Sequence, residues 1–247
     1  MMDLTDFSDK LLKLQGLIDN SNRIVFFGGA GVSTESGIKD FRSKDGLYNE
    51  KYKYPPETIL SHSFFMRHTE EFYDFYRDKL MISGVLPNVT HNFLSDLERA
   101  GKLSAVVTQN IDGLHSSAGS KRVYELHGSL LRNYCMKCGK FFDEKYIYSH
   151  GGVPRCDDCG GIIKPDVVLY EEQLDDDTVI GAVNSIADAD LLIVGGTSLA
   201  VYPAAGLIRY YSGKDMVLIN RDPTPYDHFA TLVINDSLGK VFGSLKV

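Results

Sequence analysis

Apolar positions follow two different patterns along the chain. In the first they recur at helical spacing. Leu4, Phe7, Leu11, Leu14, Leu17 and Ile18 trace one face of an N-terminal amphipathic helix that ends at Asn20-Ser21-Asn22. Ser63 to Leu80 reads as one helix with Phe64, Phe65, His68, Phe72, Phe75 and Tyr76 inward. Asn92 to Ala100 reads as another, with Phe93, Leu94 and Leu97 on one face and Gly101 as its C-cap. In the second pattern the apolar residues run unbroken: 23–27, 103–108, 123–126, 191–194, 216–219 and 232–234. Such runs predict strands covered on both faces. Strands separated by helices predict a parallel α/β sheet. Ser43 to Tyr54 is polar and aromatic without a period, and Pro55-Pro56 follows, which predicts a long ordered loop.

The chain has 247 residues, enough for one large domain or one large and one small. At 43% hydrophobic and 24% charged it is neither disordered nor fibrous. The net charge of −7 gives no general attraction for nucleic acid or anionic lipid. Met1 to Phe7 is acidic and lacks an apolar core, so no signal peptide is expected. The longest uncharged run, 191–208, is interrupted by Gly195-Gly196, Thr197-Ser198 and Pro203 and is a poor membrane span. It reads as a strand, a turn and the start of a helix. The expected location is cytoplasmic, where structural disulfides are rare.

That compartment bears on the four cysteines. Cys135-x2-Cys138 and Cys156-x2-Cys159 are separated by 17 residues, the spacing of four thiolates around a tetrahedral zinc. Gly139 and Gly160-Gly161 follow the two pairs and allow tight turns at the metal. Four protein ligands leave no open position, so this zinc is expected to be structural. Disulfides or a redox pair are the rival reading, and an iron–sulfur cluster would take the same ligands. A free-standing zinc ribbon could bind nucleic acid. Between the knuckles, however, Lys140, Lys145 and Arg155 are set against Asp143, Glu144, Asp157 and Asp158.

Gly29-x-Gly31-x-x-Thr34 follows the first strand and approximates a dinucleotide fingerprint, with Thr34 in the third glycine position. Gly28, Gly29 and Gly31 would bring backbone N–H groups to a pyrophosphate, and Ser33 and Thr34 would add hydroxyls. A plain strand-to-loop turn is the alternative. Gly195-Gly196-Thr197-Ser198 and Asn220 end two later strands, and ligands gather at such carboxyl ends.

Further polar motifs make a resemblance specific. Gly29-Ala30-Gly31-Val32-Ser33, then Ser36-Gly37-Ile38-Lys39-Asp40-Phe41-Arg42, Thr108-Gln109-Asn110-Ile111-Asp112, Glu125-Leu126-His127-Gly128, the two cysteine pairs and Gly196-Thr197-Ser198-Leu199 stand in one order over most of the chain. This set resembles the sirtuin family, of the bacterial type. The resemblance implies a Rossmann-like NAD-binding domain made of 1–42, 84–129 and 165–247. A smaller discontinuous domain, helical over 43–83 and zinc-binding over 130–164, would interrupt it. It implies an NAD-dependent protein lysine deacetylase. In that family the acyl oxygen attacks the nicotinamide ribose and nicotinamide leaves. A histidine then acts as base for a ribose hydroxyl, and water releases lysine and O-acyl-ADP-ribose.

The matching positions give His127 the part of that base, suited by its ordinary pKa. Asp112 and the Ile111 backbone would hold the nicotinamide amide, with Ile38 and Asp40 near that pocket. Asn110 would orient ribose and water, and Gln109 would contact the ribose. Gly29, Ala30, Gly31, Thr34, Phe41 and Arg42 would contact NAD, Phe41 screening the reacting carbon. Thr197, Ser198 and Asn220 would hold the phosphate and adenosine half. Lys164 to Glu172 would be the substrate strand, where an acylated protein or peptide adds at the edge. Val168, Leu169, Tyr170 and Glu171 would contact the substrate, Val168 and Tyr170 lining the acyl-lysine tunnel.

Three departures stand out. Lys39 replaces the family's usual proline. Tyr170-Glu171-Glu172 replaces a frequent Phe-Gly-Glu, which puts a carboxylate near the peptide and would favour basic flanks. Tyr73-Asp74-Phe75-Tyr76 stands at the Tyr-x-x-Arg by which some relatives pair an acidic acyl group, so neutral acyl groups, acetyl first, are expected. The remaining rivals are mono-ADP-ribosyl transfer on the same scaffold and an NAD-dependent oxidoreductase.

Overall fold

The computed structural model describes residues 4–41, 46, 52–81 and 84–247, so Arg42 and most of the loop expected over 43–54 lie outside the described residues. Helix α1 (Leu4–Asn20) leads into strand β1 (Ile24–Gly28), followed by two 3₁₀ turns over 30–32 and 34–36. A first excursion carries α2 (Pro56–Ile59), α3 (His62–Arg67) and α4 (Thr69–Phe75), extended by a π turn to Leu80. The chain returns through α5 (Val89–Arg99), β2 (Leu103–Thr108), α6 (Leu114–Ser117) and β3 (Val123–Glu125). A second excursion carries β4 (Gly128–Cys135), β5 (Phe141–Asp143), α7 (Glu144–Ser149) and β6 (Ile163–Val167). Helix α8 (Asp176–Asp188), β7 (Leu191–Gly195), β8 (Asp215–Ile219), β9 (Leu232–Ile234) and α9 (Leu238–Phe242) complete it.

The unbroken apolar runs form one parallel sheet in the order β3-β2-β1-β7-β8-β9. Every residue of β1 and β7 is buried. Alternation across the pleat explains why no polar face is needed. Ile24 and Phe26 pack with Leu14, Ile18, Phe93 and Phe242 on one side. Val25 and Phe27 pack with Ile186, Leu199 and Ile208 on the other. The winding direction reverses between β1 and β7, which opens a crevice at their carboxyl ends.

The second sheet is small and antiparallel, in the order β5-β4-β6. The helices of the first excursion share its core: Phe64, Phe65, Phe72, Tyr73 and Tyr76 pack with Leu130, Phe142 and Ile163. The division expected between 164 and 165 falls within β6. Among the described residues no helix is long and apolar enough to cross a membrane.

Two helices differ from expectation. The segment over 63–80 is broken at His68, whose φ of −133° and ψ of 48° leave the helical region. The apolar pattern hides the break because α4 restarts in phase. The His68 side chain is not inward: it is 42% exposed, beside Glu71 and against the Phe64 ring. Helix α5 begins at Val89, three residues before the expected start. Asn88 caps it, its Oδ1 accepting from the amides of Thr90 and His91 while His91 Nδ1 accepts from the Asn88 amide. A histidine thus takes the place of the usual Glu or Gln in a capping box.

Candidate functional site at the sheet crevice

A cleft of about 1110 Å³ lies at the carboxyl ends of β1, β2, β7 and β8, faced by β6 and the segment after it. The volume lies just above the roughly 300–1,000 Å³ typical of small-molecule sites, which is room for a large ligand such as a dinucleotide. All the expected contact residues that are described line it: Gly29, Ala30, Gly31, Thr34, Ile38, Asp40 and Phe41 from the first loop, Gln109, Asn110, Ile111, Asp112 and His127 from its centre. Thr197, Ser198 and Asn220 line one end, and Val168, Leu169, Tyr170 and Glu171 line the opposite wall.

The glycines of the first loop have a use besides ligand approach. Gly31 N–H donates to Gly196 O at 2.8 Å, and a Cβ on Gly31 would sit 2.8 Å from Gly196 Cα. A Cβ on Gly29 would sit 2.8 Å from Thr197 Cβ. The loop therefore packs backbone to backbone on the end of β7. Gln109 Nε2 donates to Thr197 Oγ1 at 3.0 Å, and Thr197 N–H donates to Asn220 Oδ1 at 2.9 Å. Asn220 Nδ2 is buried without a protein partner. A buried donor at the cleft wall fits a ligand rich in acceptors, such as a dinucleotide.

At the centre, Ser33 is the hub. It is 1% exposed; its hydroxyl donates to Asp112 Oδ2 at 2.7 Å and accepts from Asn110 Nδ2 at 3.0 Å. Asp112 Oδ1 accepts from Leu114 N–H at 2.9 Å. Burial pushes the Asp112 carboxyl up, against the pull of the Leu114 amide and the Ser33 hydroxyl. The Asn110 backbone is fixed by Thr108 Oγ1 at 3.0 Å. The sequence marked Ser33 only as a phosphate-side hydroxyl. Its link to residues 77 and 79 positions away carries no local signal.

His127 occupies the turn between β3 and β4. Gly128 makes that turn possible: its φ is +76°, and a Cβ there would meet Asp166 O at 1.9 Å. His127 Nδ1 lies 3.0 Å from Gln109 O. A carbonyl only accepts, so Nδ1 carries the proton and Nε2 holds the basic lone pair.

The substrate side differs in detail from the expected open edge. β6 ends at Val167. Val168 N–H donates to His127 O, Tyr170 N–H to Leu60 O, and His62 N–H to Tyr170 O. Both main-chain groups of Tyr170 are thus taken by the segment leading into α3. Glu171 stands at φ +76°, the conformation that suits the family's glycine, and its carboxylate accepts from Ser63 N–H at 2.8 Å and Ser63 Oγ at 3.0 Å. Glu172 accepts from Leu169 N–H, Lys164 Nζ and His62. These two carboxylates tie the segment to α3. Leu80, Met81, Ile111, Leu130 and Val167 add apolar lining, with Asp78 and Lys79 beside them. Tyr73 and Tyr76 are buried outside the lining. Arg77 donates to the carbonyls of His150 and Gly152, away from it.

The four cysteine sulfurs lie within 4.8 Å of one another. Two pairs, Cys135–Cys159 at 3.4 Å and Cys138–Cys156 at 3.7 Å, join opposite knuckles. Neither is a disulfide. Four thiolates about 2.3 Å from a tetrahedral zinc lie about 3.8 Å apart, so the cluster fits that ion. A Cβ on Gly161 would come 2.8 Å from Cys135 Sγ, which explains a glycine beside the site.

The family profile of the Sir2 family matches residues 29–203. The NAD-dependent protein deacetylase of Clostridium perfringens is 62% identical over 240 residues, 96% of this chain and 98% of that protein. The NAD-dependent protein deacetylase of Clostridium acetobutylicum is 60% identical over 94% of this chain and 96% of its own length. Among solved structures, a Sir2 variant with a deacetylated peptide and 3′-O-acetyl-ADP-ribose superposes with a TM-score of 0.87 at 39% identity, covering 94% and 96% of the two chains. Sir2 bound to acetylated peptide gives 0.82 at 38% identity over 98% and 96%. With its sheet, its glycine loop and its cysteine cluster in place, the chain belongs to the Sir2 family.

Proposed function

We propose that this chain is an NAD-dependent protein lysine deacetylase. It takes acylated lysine in a protein or peptide and yields free lysine, nicotinamide and O-acetyl-ADP-ribose. The observation that carries this reading is His127. Its Nδ1 is committed to Gln109 O, and it lines the same cleft as the Asn110–Asp112 segment and the Thr197–Asn220 end. Bound NAD would supply both the ribose carbon that exchanges nicotinamide for the acyl oxygen and the ribose hydroxyl that ends with the acyl group.

The residues divide the remaining work. Asp112, fixed by Ser33 and the Leu114 amide, holds the nicotinamide amide with the Ile111 backbone, beside Ile38 and Asp40. Asn110 orients ribose and water. Gln109 contacts the ribose. Gly29, Ala30, Gly31, Thr34, Phe41 and Arg42 surround the cofactor, and Thr197, Ser198 and Asn220 take its phosphate and adenosine half. His127 Nε2 accepts the proton of a ribose hydroxyl and returns it later. Val168, Leu169, Tyr170 and Glu171 line the peptide side. Cys135, Cys138, Cys156 and Cys159 hold a structural zinc that supplies no chemistry at the cleft.

The acyl group is neutral. Burial keeps the Tyr73 and Tyr76 phenols protonated, and Arg77 is held by two backbone carbonyls. No guanidinium is therefore offered to an acyl carboxylate at that helix, and Lys79, which lines the cleft, is paired with Asp78 at 3.2 Å. Acetyl- and succinyl-lysine versions of one peptide, assayed side by side with NAD, test this. Acetyl removal should exceed succinyl removal by about tenfold or more, the scale of one lost charge pair. Equal or faster desuccinylation would refute the acyl preference. Release of reduced nicotinamide, or a peptide carrying ADP-ribose, would refute the reaction.

A further inference from the structure

His127 lies where the chain leaves one sheet for the other. β3 stops at Glu125 in the parallel sheet, and β4 starts at Gly128 in the antiparallel one. The turn between them is held at the ring by Gln109 and along the backbone by Val168. One side chain bridges the strands themselves. Arg132 Nη1 donates to Glu125 Oε2 at 2.7 Å, and its Nε donates to Asp166 Oδ2 at 2.7 Å. Glu125 immediately precedes the turn, and Asp166 is registered opposite Ser129, just after it. The guanidinium therefore grips the strand before His127 and the partner of the strand after it.

The Arg132 and Asp166 side chains are each 40% exposed, and the bridge is anchored at its Glu125 end. The Glu125 side chain is 12% exposed. Burial pushes its carboxyl up and the Arg132 bond pulls it back. Arg132 lies within the irregularity of β4 between Ser129 and Asn133, where pairing with β6 is interrupted. Bulges re-aim strands and side chains near sites. In that gap Leu130 N–H donates to Ile111 O, joining β4 to the segment that carries Asn110 and Asp112. Two short charge-assisted bonds in the fixed fork of a guanidinium define an angle, which a single ammonium cannot do. Arg132, Glu125 and Asp166 are not among the residues lining the cleft.

We propose that Arg132 is a positioning residue for His127, setting the ring's place in the cleft through Glu125 and Asp166 without touching either substrate. The kinetic consequence rests on the deacetylase reading. There, nicotinamide leaves before His127 accepts a proton, so misplacing the ring should slow the later step alone.

The test compares Arg132→Met, which keeps the stem and loses both bonds, Arg132→Lys, and the milder Asp166→Asn. Each is first checked for zinc content and thermal unfolding. In Arg132→Met the exchange of labelled nicotinamide into NAD should stay within about twofold of wild type. Deacetylation kcat should fall about tenfold or more, the cost of a small misplacement of a reacting group. Arg132→Lys should recover little, and Asp166→Asn should show the same split, smaller. Independently of activity, the His127 Nδ1–H resonance should be sharp in wild type and broadened or shifted in Arg132→Met. A parallel fall in exchange and deacetylation, or unchanged deacetylation, would overturn the proposal. If wild type shows neither activity the deacetylase reading fails, and the resonance decides: an unchanged His127 signal in folded Arg132→Met or Asp166→Asn overturns the positioning role.

Discussion

The two walls of the cleft are held together differently. The wall at β1, β2 and β7 is the end of a sheet buried on both faces, with side chains packed two layers deep. Its site residues hang from that sheet through Ser33, Gln109 and Thr197. The opposite wall rests on a sheet of only three strands. In β5 only Phe142 is buried while Phe141 and Asp143 are exposed, and the four cysteines cluster beside the aromatic core. Its register relies on Arg132, Glu171 and Glu172 bridges. Burial of apolar surface alone builds the cofactor wall, whereas the peptide wall adds metal ligands and charged hydrogen bonds to an aromatic core of its own.

The largest expected effect separates the two. Structural zinc contributes about 10–16 kcal/mol to the folding of small metal modules. Chelation, or Cys156→Ser, should abolish deacetylation and strip hydrogen-exchange protection from β4 and β6, while β1 and β7 keep theirs. Loss of protection in β7 together with β4 would break the comparison.

Glycine substitutions sharpen it next. Gly128→Ala drives a Cβ into Asp166 O and strains a left-handed position, at a cost of about 1–3 kcal/mol from the backbone alone. Its main kinetic effect should be a lower kcat, through His127. Gly31→Ala presses on Gly196 at the cofactor wall and should chiefly raise the KM for NAD. Steady-state kinetics with NAD varied checks both, and a reversed pattern would mean the walls are not separate.

How much of this was legible in the sequence follows the same division. The buried strands were readable because both pleat faces carry apolar residues, so the runs are unbroken. The cysteine cluster was readable because both knuckles are local. The break at His68 was hidden by apolar residues that stay in phase across it. Ser33 bonding Asp112, Tyr170 tied to Leu60 and His62, and the Arg132 bridge all join distant segments, so no window of sequence contains them. The same holds for His91 and His115, fully buried with ring centroids 4.7 Å apart.

That pair gives a pH-dependent effect on the cofactor side. Burial pushes His91 down to about 4 and His115, also beside His91, down to about 3. Both are neutral when folded, whereas an unfolded imidazole protonates near pH 6.5. Between those values the unfolded chain binds more protons. The contribution is therefore complete above about pH 6.5 and is lost as pH falls toward 4, by roughly 3 kcal/mol for His91. Exchange protection of α5 and β2, corrected for intrinsic rate, should decline from pH 6.5 to 5. A flat profile would contradict it.

The smallest effect is at Glu171. Glycine would relieve the left-handed backbone but lose both bonds to Ser63, so stability should change by less than about 1 kcal/mol. Preference for Lys- or Arg-flanked peptides at low salt should weaken. An unchanged preference would show that Glu171 serves α3 alone.

The central claim is that His127 Nε2 is the base that completes acyl transfer. Mass spectrometry of both products, from wild type and zinc-loaded His127→Tyr given NAD and one acetyl-lysine peptide, tests it most directly. Wild type should give deacetylated peptide and O-acetyl-ADP-ribose in equal amounts, and the variant neither at a comparable rate. Equal product from folded His127→Tyr would contradict the account.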